Sequence, residues 1–204
     1  MAGAVGRDVK SVLITAAAVF VAGCGPLAID YRPSATASPA PTASVALHVS
    51  NDRDDDHGGR TERIGTIYSS SGGIYPGPRN YSGRPVNATS AETVTGTVGA
   101  ATTDALAHAG VLVRTGSPTL IASVREYWMD GPNVKHGVIV VAYDLFDRGG
   151  RRVWHTDARG EASVIATVGN GLVRMFRAAL QDLAEHANTA FRSPEFQAAL
   201  RQSS

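Results

Sequence analysis

Apolar residues recur along this chain with two different periods, and the switches between them mark out the elements. From Val45 to Val49 every second position is apolar (Val45, Leu47, Val49), the alternation of a half-buried strand. Ile64 to Tyr68 predicts a second, shorter strand. The period then lengthens: Val94, Val98, Ala101, Ala105, Leu106 and Ala109 fall at helical spacing. Ser90 as N-cap, Glu92 in the first turn and Gly110 as the residue just past the end bound that helix. Gly96 and Gly99 each weaken it by about 1 kcal/mol relative to alanine, which close packing on a sheet would offset. Val111-Leu112-Val113 is a brief apolar run.

Strands predominate in the next sixty residues. Thr119 to Met129 carries Leu120, Ile121, Val124, Tyr127 and Trp128, and Asp130-Gly131-Pro132-Asn133 is a turn. Val134 to Phe146 is the most apolar strand, buried on both faces or nearly so at Val138 to Tyr143. A hairpin turn at Asp147-Arg148-Gly149-Gly150 sends Arg152 to about Val168 back antiparallel, with a bend at Gly160. From Gly171 to about Arg192, Val173, Phe176, Leu180, Leu183, Ala187 and Phe191 form one apolar stripe, with Arg174, Arg177, Asp182 and Glu185 off it. Ser193 caps a last short helix with Pro194 at its first position, and Phe196, Ala199 and Leu200 give it a docking face. This order predicts an α+β two-layer sandwich: a mainly antiparallel sheet of about four strands, two helices on one face and a short C-terminal helix.

The N-terminus has a different character. Arg7 and Lys10 precede the apolar run Val12 to Val21, which is too short to span a hydrocarbon core needing about 20 helical residues. It ends at Val21-Ala22-Gly23-Cys24, which resembles the bacterial lipobox and holds the only cysteine of the chain. That resemblance implies a signal peptide over 1–23 and acylation of Cys24 (palmitate among its chains), giving a membrane anchor without a spanning helix. Gly25 in place of Asp implies, on the sorting pattern of enteric lipoproteins, the periplasm-facing side of the outer membrane. Residues 24–44 hold four prolines among small residues and read as a flexible tether, leaving 45–204 as a single periplasmic domain. Cleavage before Cys24 removes Arg7, Lys10 and Asp8, taking the 19 basic and 18 acidic residues of the chain to 17 of each. A neutral balance gives no footprint for nucleic acid. With Cys24 acylated, no disulfide holds the fold.

Candidate chemistry is sparse. Asp52, Asp54 and Asp56 suggest a calcium loop, but the sixth and twelfth positions counted from Asp52 are His57 and Arg63 rather than Gly and Glu, so a solvated acidic turn is the better reading. The loop at about 68–85 is long and rich in Gly, Ser and Tyr; Tyr68, Tyr75 and Tyr81 with Arg79 and Arg84 could stack on a sugar or peptide partner. No histidine pair has metal-ligand spacing, and no cofactor-binding or nucleophile motif is present in the sequence. Asn87-Ala88-Thr89 matches a glycosylation sequon, which has no meaning in a bacterial periplasm. His155 and Asp157 fall on one face of a strand within mutual reach, either an acid–base pair or a solvated pair on an open sheet.

Several of these pieces in this order resemble the YajG-type lipoproteins of Gram-negative bacteria. They are the lipobox at Cys24, a strand ending in Asn51-Asp52-Arg53, Ala109-Gly110 followed by Ile121 to Trp128, Gly149-Gly150 with Trp154, and Ser193 to Leu200. The resemblance implies an architecture and an envelope address, and brings no catalytic residue with it. The expected function is a non-catalytic accessory module, not an enzyme and needing no cofactor, that docks a periplasmic protein or peptidoglycan through the open sheet face or the Tyr/Arg loop. A self-assembling structural or export-channel subunit and a hydrolase built on His155 and Asp157 are the competing readings.

Overall fold

A computed structural model describes residues 29–53, 63–67, 86–87, 93–116, 118–130, 134–165 and 171–203. Its elements are β1 (Ala43–Asn51), β2 (Arg63–Ile67), β3 (Val86–Asn87), α1 (Val94–His108), β4 (Val111–Val113), β5 (Thr119–Asp130), β6 (Val134–Phe146), β7 (Arg152–Ile165), α2 (Gly171–Phe191) and α3 (Pro194–Ser203). The α+β class and the helices on one face follow the sequence pattern. The sheet follows it in part. The long antiparallel pairing of β5, β6 and β7 supplies most of its ladders. Among the described residues there are seven strands, however, and β1, β2 and β4 add parallel pairing that was not expected.

The long β5 organises it. One edge of β5 pairs antiparallel with β6 along its whole length, and β6 pairs in turn with β7. The other edge is shared: β1 runs parallel to Thr119–Val124, and β2 runs parallel to Trp128–Asp130. β4 flanks β1 in parallel and β3 flanks β2, so the sheet is five positions wide. The parallel half exists because α1 carries the chain back across the sheet before β4 and β5 begin, as a crossover must. Gly99 faces β1 here, where a Cβ would stand 3.4 Å from Val49 Cγ2, at the edge of ordinary contact. The N-cap of α1 is Thr93, whose side chain accepts the Gly96 N–H at 3.0 Å; Ser90 and Glu92 lie outside the described residues. Gly110 ends the helix with φ of 74°, as its position in the sequence required.

The core fills the space between the sheet and the helices. Phe176, Leu180, Leu183, Ala187 and Phe191 of the α2 stripe are fully buried. Tyr127 stacks on Phe176 with ring centroids 5.3 Å apart, and Tyr143 meets Phe191 edge-on at 5.1 Å. Their hydroxyls are not stranded: Tyr127 pairs with Thr97 at 3.3 Å and Tyr143 with Thr102 at 3.0 Å, both on α1. α3 is stopped from drifting by Phe196, which packs edge-on against Trp154 at 4.7 Å, while Ser193 Oγ accepts the Phe196 N–H at its N-terminus.

Two expectations fail here for reasons that composition hides. Residues 29–42, assigned to a free tether over 24–44, are docked on the helices. Ile29 is 1% exposed and belongs to the core, and Thr42 N–H donates to the Gly110 carbonyl at 2.8 Å, just before β1 starts. Arg53, placed within a solvated acidic turn, is 2% exposed. Its Nε donates to Asn51 Oδ1 at 2.9 Å and its guanidinium to the Tyr127 carbonyl at 3.1 Å, in the gap between the stretches of β5 covered by β1 and by β2.

Candidate functional site

Strand periodicity sends alternate side chains to the face of the sheet opposite the helices, and pairing register lines them up in rows. One row runs His48, Ile121, Asp144, His155; the next runs Ser50, Ser123, Ala142, Asp157. In the first, Asp144 is the hub. Its Oδ1 accepts from Arg152 at 3.1 Å and lies 2.9 Å from His155 Nδ1. His155 Nε2 is 3.9 Å from Asp157 Oδ1. The structure does bring His155 and Asp157 to one face, but the hydrogen-bonding partner of His155 is Asp144. That residue lies across the hairpin and becomes visible only once the β6–β7 register is known.

Exposure decides what this arrangement can do. The side chains of His155 and Asp157 are 44% and 66% exposed, against 15% for Asp144. Solvent screens such groups and leaves them as surface hydrogen-bonding and charge-bearing groups. Beside them the same face carries Ile121 and Val140, both partly buried, and Trp128, whose indole N–H donates to Glu126 at 2.8 Å. An exposed Arg159–Glu161 pair closes the row across from Val140. The face therefore interleaves Ile121, Ala142, Val140, Val138 and Trp128 with Ser123, Glu126 and Asp144 on β5 and β6, and gathers His155, Asp157, Arg159 and Glu161 along β7.

A second polar feature lies on the opposite side of the domain, where residues 31–38 cross α1 and α2. Tyr31 donates its hydroxyl to Asp104 Oδ2 at 2.5 Å, and the Ser34 N–H reaches the same oxygen at 3.3 Å. Burial, reinforced by the Asp104 carboxylate, pushes the Tyr31 phenol well above its ordinary range. His108 Nδ1 pairs with Ser38 at 3.3 Å, and its Nε2 sits 3.6 Å from Asp104 Oδ1. These groups, with Gln181, Glu185 and Asn188 of α2, line an open pocket of about 320 Å³. Composition concealed it, because Tyr31 and Ser34 look like linker residues.

Cys24 and the five residues of the proposed partner-binding loop, Tyr68, Tyr75, Arg79, Tyr81 and Arg84, lie outside the described residues. Among the described residues no helix is long and apolar enough to cross a membrane, and no group of His, Cys, Asp and Glu is arranged to hold a metal ion.

No protein-family model matches the sequence, and no curated protein matches it. Among solved structures, a Xanthomonas campestris protein of the family DUF330 aligns with 87% of this chain and 92% of its own, with a TM-score of 0.51 and 16% identity. At that identity the likeness is one of fold. A minor lipoprotein of Acinetobacter baumannii aligns with 47% of this chain and 82% of its own, with a TM-score of 0.38 and 14% identity. A Caulobacter crescentus protein predicted to be a lipoprotein aligns with 50% of this chain and 77% of its own, with a TM-score of 0.33 and 22% identity.

Proposed function

We propose that this chain is a lipoprotein of the YajG type, anchored through acylated Cys24 on the periplasmic side of the outer membrane. In this reading it acts as a non-catalytic accessory module, binding a periplasmic protein through the open face of its sheet. The observation that carries the binding role is the make-up of that face. Ile121 and Trp128 on β5 and Val138, Val140 and Ala142 on β6 form an apolar strip bordered on β7 by Arg152, His155, Asp157, Arg159 and Glu161. Apolar surface bordered by charged groups is the mixed composition of a protein–protein interface. The lipobox supplies the address.

Two experiments test the two halves. The anchor predicts that radiolabelled palmitate enters the wild-type protein and not Cys24→Ser, which folds normally and leaves the membrane fraction. For the face, a photo-crosslinking residue at Val140 gives a discrete protein adduct in envelope preparations, and the same residue at Ala178 on the helix side does not. That adduct is lost on Asp157→Arg. Adducts to peptidoglycan fragments alone would replace the protein partner with the cell wall. Adducts unchanged by Asp157→Arg would remove the sheet face from the proposal.

A further inference from the structure

A lipid anchor at Cys24 and a docked segment beginning at Ile29 together fix how the domain meets the membrane. The docking is made of several independent contacts. Ile29 is buried in the core. The Asp30 carboxylate pairs with Arg177 of α2, and Tyr31 and Ser34 both hold Asp104 of α1. Ser38 meets His108, and Thr42 meets Gly110. The segment is a strap laid over the helices, and its N-terminal end is pinned at α2.

Four residues separate Cys24 from Ile29, five Cα–Cα steps with a reach of about 18 Å at full extension. That is less than twice the diameter of one helix with its side chains, about 10–12 Å. A lipid surface holding Cys24 must lie within that distance of the strap's pinned end, on the helix side of the sheet. The charges there suit a lipid surface. Arg32, 68% exposed, sits beside Asp30; Arg177 pairs with Asp30; Arg174 is exposed one turn earlier on α2. Of the acidic groups nearby, Asp30 is shared by Arg32 and Arg177, while Asp104 and Glu185 lie further along the strap beside Tyr31 and Ser34, away from its pinned end.

We infer that the helix layer, at Arg32, Arg174 and Arg177, rests against a lipid surface carrying anionic headgroups, with the open sheet face turned away from the membrane. This rests on the reading of Cys24 as an acylated anchor, and it replaces a domain lifted on a long tether with one held close and oriented. It also gives the sheet face its direction: towards the periplasm, where a protein partner is met.

Spin labels test the orientation on the full-length lipidated protein in vesicles of phosphatidylethanolamine with a minority of phosphatidylglycerol. Cys24 is the sole cysteine and is blocked by acylation, so Ala178→Cys on α2 and His48→Cys on the open sheet face each carry one label. With a nickel-chelating lipid as relaxant, the label at position 178 is strongly relaxed and the label at 48 is not. Releasing the strap with Ile29→Ser, Asp30→Ala, Asp104→Ala and His108→Ala, which removes each contact named above before Thr42, lengthens the leash from five Cα–Cα steps to the 18 from Cys24 to Thr42. The local concentration of lipid at position 178 then falls about sevenfold, from the −3/2 power of leash length, while the protein still pellets with the vesicles. If that variant fails to fold, Arg32→Glu with Arg174→Glu lowers relaxation at 178 instead. Equal relaxation at both positions, or none at 178 in protein that pellets, overturns the orientation. Wild-type protein that pellets no better than Cys24→Ser removes the anchor on which it rests.

Discussion

Gly160 of β7 lies so close to Ala179 of α2 that a Cβ on the glycine would stand 2.1 Å from the Ala179 carbonyl oxygen and 2.6 Å from the Leu183 amide nitrogen. Both obstacles are backbone in the middle of a helix, so neither can swing aside. Gly160→Ala must push α2 off the sheet and disturb the stripe from Phe176 to Phe191 beneath it. The expected loss is about 3 kcal/mol or more, at the upper end for overpacking a core. Urea or thermal unfolding followed by circular dichroism reads it directly. A melting temperature within a degree of wild type would mean that the helix does not approach the strand this closely.

Arg53 predicts a second sensitivity. β1 pairs with β5 as far as Val124 and β2 resumes at Trp128, so among the described residues the Tyr127 carbonyl falls between the two pairings, and the Arg53 guanidinium donates to it there. Lysine offers one compact ammonium where arginine offers a fork reaching Tyr127 and Asn51 together. Arg53→Lys is expected to cost about 1–3 kcal/mol and Arg53→Ala at least as much, through lost hydrogen bonds and orphaned acceptors in a buried site. Amide exchange sharpens the test: protection should fall first around Tyr127, whose carbonyl Arg53 holds, before the rest of the β5–β6 ladder is affected.

Elements with a sustained period were legible in the sequence, and contacts between distant segments were not. α2 shows itself because five of its turns repeat one stripe, and the β6–β7 hairpin because Asp147 and Gly150 mark the turn; Asp147 Oδ1 does accept the Gly149 and Arg151 N–H groups. β4 is three residues long, too short for any period, so the parallel half of the sheet stayed hidden. The strap was misread because Pro, Ala and Ser outweigh Ile29 and Tyr31 in any average over 24–44, although those two side chains bind it. Arg53 disappeared among Asp52, Asp54, Asp55 and Asp56 for the same reason. At the candidate face, His155 and Asp157 were found from alternation along one strand, whereas Asp144 needed the pairing between two.

The docking of α3 depends on one ring. Phe196 is fully buried, with Trp154 at 4.7 Å and Phe191 at 5.0 Å. Phe196→Ala leaves a cavity between helix and strand and is expected to cost about 3–5 kcal/mol. Trp154 reports on it: of the two tryptophans in the chain it is the one that loses an aromatic neighbour, so emission shifts to the red with Trp128 as the constant background. Exposed Glu195, in the first turn of the same helix, serves as control, since Glu195→Gln removes only a favourable helix-dipole contact of under about 1 kcal/mol.

The two core tyrosines make stability depend on alkaline pH. Burial pushes the Tyr127 phenol up to about 12 and drives Tyr143 upward too, from an ordinary value near 10. Below pH 10 both the folded and the unfolded chain keep these protons, and stability is unaffected. Above it the unfolded chain releases them first, so stability falls as pH rises towards and through 12. At pH 11 the loss from Tyr127 alone is on the order of 1 kcal/mol, and Tyr143 adds to it in the same direction. Tyr143→Phe separates the two. Near pH 8 it is expected to cost about 1 kcal/mol, because the buried Thr102 hydroxyl loses its partner at 3.0 Å. At pH 11 that cost is offset, since phenylalanine has no proton to lose, and the unfolding curves of variant and wild type should converge or cross. Urea midpoints at the two pH values, with phenolate absorbance to count the tyrosines that titrate only on unfolding, decide it; a variant equally destabilised at both pH values would show that Tyr143 does not hold its proton in the folded core.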